Sequence, residues 1–367
     1  MATIISKPEG LCLSGNLPKV IIESEDDVRV QVLAGTKQLI DETYTPDFDN
    51  RVALDISDII INELIFTVPN LNIITQTNLL KTFALHINNS VYNFSALRTG
   101  VRDLSLAPVA FLTKNFLTWQ ERQKIITDTQ PEYLTYFATK NCYAFITAYF
   151  ADGTNQTVKI TNLQANICVT INVNYFINNF SEKPQQAEIF ITAADDPDSE
   201  IISKYQYYKI VQKLPDEQYF LFENSLGGID TLRCTGDVKH TPEFTSETAL
   251  MSDTERTFFI DKKDIRTQNT GNITYENAAW MQDFFAAKNR YLFAEAKLQP
   301  IIIDEVTAET SIKNRIKSFE FSYRPAVASM YLNLDTNIYI DTGNDAIYLI
   351  DNNNKYIIDI NNNYLVA

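Results

Sequence analysis

At 367 residues the chain exceeds the ~250–300 at which single cores usually stop growing, so two or three domains are expected. Its 45% hydrophobic and 12% aromatic content supplies core material and excludes wholesale disorder. With 46 acidic against 31 basic side chains the net charge is -15, which argues against nucleic acid or an anionic membrane as a partner, since either would repel it.

Residues 28–33 read VRVQVL, with Val28, Val30 and Val32 on one face as a half-buried strand requires. Residues 36–44 are the expected partner across the Ala34-Gly35 turn. Pro46, which lacks a donor, and Asp47, which favours turns, then break the ladder. Alternation resumes at 52–56, and further strands are expected at 64–68, 81–87 and 91–97. Short strands at about ten-residue intervals, with turn signals between them, predict a mainly β fold opening with an Ig-like β-sandwich over residues 1–106. Residues 107–130 mix large apolar residues with charges and end before Pro131; they read as a connector lying against the first domain. A second β-rich domain, 107–204 with this connector included, has strands at 142–150, 157–160, 166–173 and 187–192. Gly153 suits a hairpin turn between the first two, and 193–200 (AADDPDSE) is an acidic loop.

A small α+β region follows at 205–333, with strands at 207–212, 218–223 and 231–234. Its helix is expected over 275–287, because Thr274 is a good N-cap, Glu276 suits the positive end of the dipole and no Pro or Gly interrupts. Trp280 and Phe284, like Met281 and Phe285, stand four apart and form a wide apolar stripe to be buried against neighbouring strands. Strands at 290–294, 300–306 and 317–323 complete the region. In the last segment, 334–367, Tyr339, Tyr348, Tyr356 and Tyr364 recur at intervals of 9, 8 and 8 with Asn-rich turns between them. That pattern fits a short β-repeat, or a tail that orders only against another chain.

Little in the chain carries chemistry. Cys12, Cys142, Cys168 and Cys234 lie too far apart for a zinc knuckle or redox pair and read as buried thiols. His86 and His240 fall in different expected domains. No nucleophile elbow, P-loop or H-E-x-x-H occurs. The Asn-rich turns after Asp351 and Asp359 lack the glycine and closing glutamate of a calcium loop. Gly227 and Gly228 fit a strand-joining turn better than a dinucleotide loop, because no third glycine or helix follows. Trp119 and the 19 tyrosines include candidates for sugar stacking, although aromatics at strand positions more often pack in cores. No secretory leader and no run near the ~20 apolar residues of a membrane span is visible. The expectation is therefore no catalytic residues, no metal and no cofactor, with synthesis in a cytoplasm.

Residues 224–323 contain NSLGGIDTLRCTG, then QNTGNITYENAAWMQDFFAAKNRYLFAEAKLQPIIID, then IKSFEFSYRPA. This combination resembles mostly uncharacterised tail-associated proteins of phages and prophages of Bacteroides-type bacteria. The matching positions are Gly227, Gly228, Asp230, Thr231 and Gly236, followed by Trp280, Met281, Asp283, Phe284, Phe285, Tyr291, Leu292 and Pro300. LSGNLPKVII and YTPDFDNRVALDISDII resemble the β-sandwich opening of the same proteins, so the likeness spans about residues 10–330. The resemblance implies a virion structural protein of the tail tip or baseplate, forming a ring or hub with itself and other tail proteins, and it brings no catalytic residues. A carbohydrate- or receptor-binding adhesin contacting a host surface glycan is the alternative, and a polysaccharide-cleaving tail enzyme the third.

Overall fold

In the computed structural model, residues 2–103, 105–251, 253–308, 317–327, 339–341 and 348–350 are described. Strands hold 52% of the chain and helices 11%, so the fold is mainly β and rich in sandwich-like sheet pairs. The chain forms two compact units, Met1–Thr241 with Ile265–Ala326, and Pro242–Asp264 with Val327–Ala367.

The alternation at Val28–Ala34 places Val28, Val30 and Val32 fully inside, with Arg29 exposed. This strand lies in a five-stranded sheet ordered Gly10–Leu13, Ser90–Leu97, Leu80–Ile87, Val28–Ala34, Lys37–Tyr44. Its core is shared with a three-stranded sheet of Thr3–Ser6, Val20–Glu23 and Arg51–Leu54, through residues such as Val20, Ile22, Val30, Phe83 and Phe94. The strand expected at 64–68 does not form. Residues just before it make helix α1 (Ser57–Glu63), because Ile56, Ile60 and Leu64, each four apart, are buried as one helical stripe.

Residues 107–130 contain helix α2 (Pro108–Lys114) and a strand, Gln123–Thr127, which pairs in parallel with Gln206–Val211. That pair continues through Gln186–Thr192, Cys142–Tyr149 and Asn155–Leu163 to make a second five-stranded sheet. Packed on it is a three-stranded sheet of Tyr133–Ala138, Ile167–Asn172 and Ile73–Thr75, with a core that includes Tyr136, Ile146, Ile171 and Ile189. Ile73–Thr75 comes from the N-terminal third, so a strand of residues 1–106 completes a sheet of residues 107–204. Helix α3 (Val173–Asn178) is capped by Asn172, whose side chain accepts the Tyr175 N–H.

The third sheet has seven strands, ordered Ile229–Cys234, Gln218–Glu223, Arg290–Ala294, Lys297–Thr307, Glu320–Pro325, Thr254–Asn269 and Val238–Met251. Helix α4 (Tyr275–Ala286) packs on it as the apolar stripe predicts, and Thr274 Oγ1 accepts the Asn277 N–H at 3.2 Å. Phe284 is fully buried, with its ring centre 5.4 Å from that of Phe222 and 5.3 Å from that of Phe321. Trp280 is buried beside Phe222. All four cysteines are buried and free. A further core cluster joins the three regions, drawing Leu13 and Leu97, Leu117 and Phe137, and Leu221 and Ile229 together.

The last two strands of the third sheet form a long hairpin that has no counterpart in the sequence-based expectations. In the C-terminal segment, Tyr339–Asp341 pairs antiparallel with Tyr348–Ile350, setting Tyr339 opposite Ile350 and Tyr348 opposite Asp341. Tyr356 and Tyr364, and the turns expected at 352–354 and 361–363, lie outside the described residues.

Candidate functional site

The Gly227-Gly228 turn joins Gln218–Glu223 to Ile229–Cys234. Gly227 has a φ of +91°, and a Cβ there would lie 2.0 Å from the Arg98 carbonyl oxygen. A Cβ on Gly228 would lie 2.4 Å from the Leu117 carbonyl oxygen. Both glycines thus serve close backbone approach inside the fold. Asn224 pins the turn: its Oδ1 accepts the Gly228 N–H at 2.9 Å and its Nδ2 donates to Leu117 O at 2.8 Å.

The turn delivers Asp230 into a buried polar node. Asp230 Oδ2 accepts from Thr118 Oγ1 and from Trp280 Nε1, each at 2.9 Å, while Oδ1 has no partner among the described residues. Nearby, Lys124 Nζ bonds both oxygens of Glu132, at 2.7 and 2.8 Å, and sits 5.3 Å from the Trp280 ring centre. Gln130 Nε2 donates to Glu132 at 2.8 Å, and Gln120 accepts from Lys124 at 2.9 Å. Burial raises the Asp230 and Glu132 carboxyls above their ordinary range; the Lys124 charge opposes this in both, and the Asp230 charge adds to it for Glu132. Two carboxylates sharing one cation resemble an acid–base pair, but Glu132 and Asp230 are fully enclosed and line neither surface depression described below. A catalytic acid or base must reach its substrate. The node instead ties the third sheet to the strand Gln123–Thr127.

A pH experiment checks this assignment. A folded-state pKa above the unfolded ~3.9 means that the folded chain binds this proton more tightly, so Asp230 lowers stability as pH rises above about 4. The deficit of Asp230→Asn should therefore shrink as pH rises above about 4, measured by urea unfolding. A deficit that grows instead would show that the bonds from Trp280 and Thr118 outweigh burial.

On the surface, two depressions flank Trp119. The larger, 680 Å³, runs beside α4 and is lined by Trp119, Ser225, Tyr275, Glu276, Trp280 and Asp283. The smaller, 180 Å³, lies between Trp119 and Tyr205 and includes Gln120, Arg122 and Lys204. Trp119 Nε1 donates to Ser225 Oγ at 2.9 Å, and Ser225 donates its N–H (2.9 Å) and its O–H (3.1 Å) to Asp283. Burial raises the Asp283 carboxyl, and the two Ser225 bonds counter it in part.

In the Val238–Met251/Thr254–Asn269 hairpin, residues 266–269 pair with Glu320–Pro325. Phe244, Leu250, Met251, Phe258, Phe259 and Ile260 are all exposed there.

Of the residues singled out in sequence, Gly227, Gly228, Trp280 and Phe284 meet around the buried node and the α4 core, whereas Tyr339 and Tyr348 belong to the other compact unit. Lys124 and Glu132 escaped sequence reasoning, since a lysine eight residues from a glutamate carries no signal of burial. His86 lies in Leu80–Ile87 and His240 in Val238–Met251, strands of different sheets. Among the described residues, no cluster of three His, Cys, Asp or Glu side chains is set to hold a metal, and no helix is long and apolar enough to cross a membrane. No protein-family model matches the chain, and no curated protein matches it.

Proposed function

We propose that the chain is a virion structural protein without catalytic activity, a tail-tip or baseplate component that assembles with copies of itself and with other tail proteins. It would be made in the bacterial host cytoplasm and end in the tail. The observation that carries this reading is the hairpin. A two-stranded ribbon is marginal in water by itself, and open edges bearing apolar side chains are templates for association. Leu250 is 74% exposed and Phe258 62%, on a hairpin that runs 14 residues in one strand and 16 in the other. Closed, symmetric packing against neighbouring subunits removes both costs at once. The tail-protein resemblance across about residues 10–330 supports the virion context.

Sedimentation of the full chain tests the proposal. The wild-type protein should run as a defined multiple of 41.9 kDa, and the double variant Phe258→Asp, Phe259→Asp should fall to a monomer with an unchanged β spectrum. A wild-type chain that stays monomeric at every concentration, or a variant that assembles normally, would overturn it.

A further inference from the structure

We propose that the Met1–Thr241/Ile265–Ala326 unit also binds an extended neutral polysaccharide, along a track of aromatic side chains running Tyr275, Trp119, Tyr205, Tyr207 and Tyr149. This is independent of the assembly reading, since none of these residues lies in the hairpin. Continuity is set by the surface itself. The 680 Å³ groove is bounded by Tyr275 and Trp119, and the smaller depression by Trp119 and Tyr205. Tyr205 then stacks on Tyr207, with ring centres 5.6 Å apart and planes 18° apart. Tyr207 stands opposite Glu188 in the sheet register, and Glu188 Oε1 accepts the Tyr149 hydroxyl at 2.8 Å.

Four of these rings lie outside the core, and the fifth, Tyr205, packs its ring against buried Phe190 at 5.2 Å between ring centres. On the same strands Ala148, Ile189 and Tyr208 fill the interior face, leaving Tyr149, Glu188 and Tyr207 on the outer one. Trp119 and Tyr275 are each 49% exposed, Tyr207 39% and Tyr149 36%.

The chemistry of the track selects the occupant. Exposed ring faces take the C–H faces of pyranose rings, which the negative face of the aromatic quadrupole attracts. Tyr205 and Tyr207 already touch, so no cation fits between them, and the pair is a platform where an ammonium cage would need a slot. Two of the five ring-borne donors are committed, the Trp119 N–H to Ser225 and the Tyr149 O–H to Glu188, while the hydroxyls of Tyr205, Tyr207 and Tyr275 stand beside the track. What remains beside the rings is the acceptor capacity of Asp283 and Glu188 and the donor capacity of Arg122 and Lys204. Sugar hydroxyls both donate and accept, whereas a proline-rich peptide, the other common guest of aromatic grooves, offers mainly carbonyl acceptors. Along the track Glu276, Asp283 and Glu188 are matched by Arg122, Lys204 and Lys317, so no single sign of charge dominates locally. It is the net charge of -15 over the whole chain that disfavours a polyanionic glycan. Two depressions and a stacked pair in series fit a chain of several sugars.

The test is a glycan array of neutral and acidic polysaccharides with proline-rich peptides included, followed by fluorescence titration of the full chain with oligosaccharides of the best neutral hit. The protein has two tryptophans, Trp119 exposed and Trp280 buried but lining the larger groove, so the titration is repeated in Trp119→Phe to assign the signal. Expected are binding to a neutral polysaccharide and affinity that rises from disaccharide to hexasaccharide. Binding followed by calorimetry should weaken at least tenfold in Trp119→Ala and in Tyr207→Ala, and much less in Trp119→Phe. Phe48→Ala, at an exposed aromatic that lines neither depression, should bind as wild type. Circular dichroism confirms that each variant is folded. Absence of any neutral glycan hit, binding indifferent to both alanine variants, or preference for the peptides or acidic glycans would overturn the proposal.

Discussion

Gly227→Ala should cost about 2–6 kcal/mol of folding stability, combining backbone strain at positive φ with overpacking against a rigid neighbour. The clashing atom is the Arg98 carbonyl oxygen, 2.0 Å from the new Cβ, and a backbone atom cannot swing aside as a side-chain tip does. Since domains are held by only about 5–15 kcal/mol, a loss of this size removes much of the margin. Gly153 supplies the control. Its φ is +84°, yet nothing lies within 4 Å of a Cβ placed there, so Gly153→Ala isolates the strain and should cost about 1–3 kcal/mol. Equal urea midpoints for the two variants would show that the segment bearing Arg98, just past the strand Ser90–Leu97, yields, and that the turn is not the close-approach point its geometry implies.

Trp280→Ala should be comparably severe, about 3–5 kcal/mol from lost packing against Phe222 and the α4 core. The indole also donates to Asp230 Oδ2, whose companion oxygen already lacks a partner among the described residues. Trp280→Phe keeps most of the ring contact and removes that donor, so its expected cost, about 1–3 kcal/mol, reads the polar share of the node. A phenylalanine variant as stable as wild type would mean that Thr118 and Asn224 satisfy the carboxylate without the indole.

Gly227 and Trp280 carry local sequence signals, whereas the features without one depend on distant partners. Local periodicity was enough wherever one face of an element is buried. Val28–Ala34 alternates because its even-numbered valines are inside, and α4 shows its stripe because Trp280, Met281 and Phe284 are. The α1 stripe, Ile56, Ile60 and Leu64, is equally present in the sequence, but three positions make too short a run to stand out against the surrounding β pattern. Pairing between distant segments leaves no local trace, which is why Ile73–Thr75 gave no hint of its place beside Ile167–Asn172. The Lys124–Glu132–Asp230 node was invisible for the same reason, since charged residues read as surface unless their partners are known. In the 238–269 hairpin Pro242 and charges fall on both faces, so the period-two signal of a half-buried strand is missing. The proposed polysaccharide track combines five aromatic residues from four separate stretches of chain, of which the sequence singles out only Trp119 by number.

The assembly claim is most directly tested by amide hydrogen exchange of the full chain at increasing protein concentration. If the hairpin is the assembly element, amides of residues 254–264 should exchange rapidly in dilute solution and become protected as concentration rises, while Glu320–Pro325 stays protected throughout. Exchange at 254–264 that remains fast and independent of concentration, up to the highest at which the protein is soluble, would contradict the account.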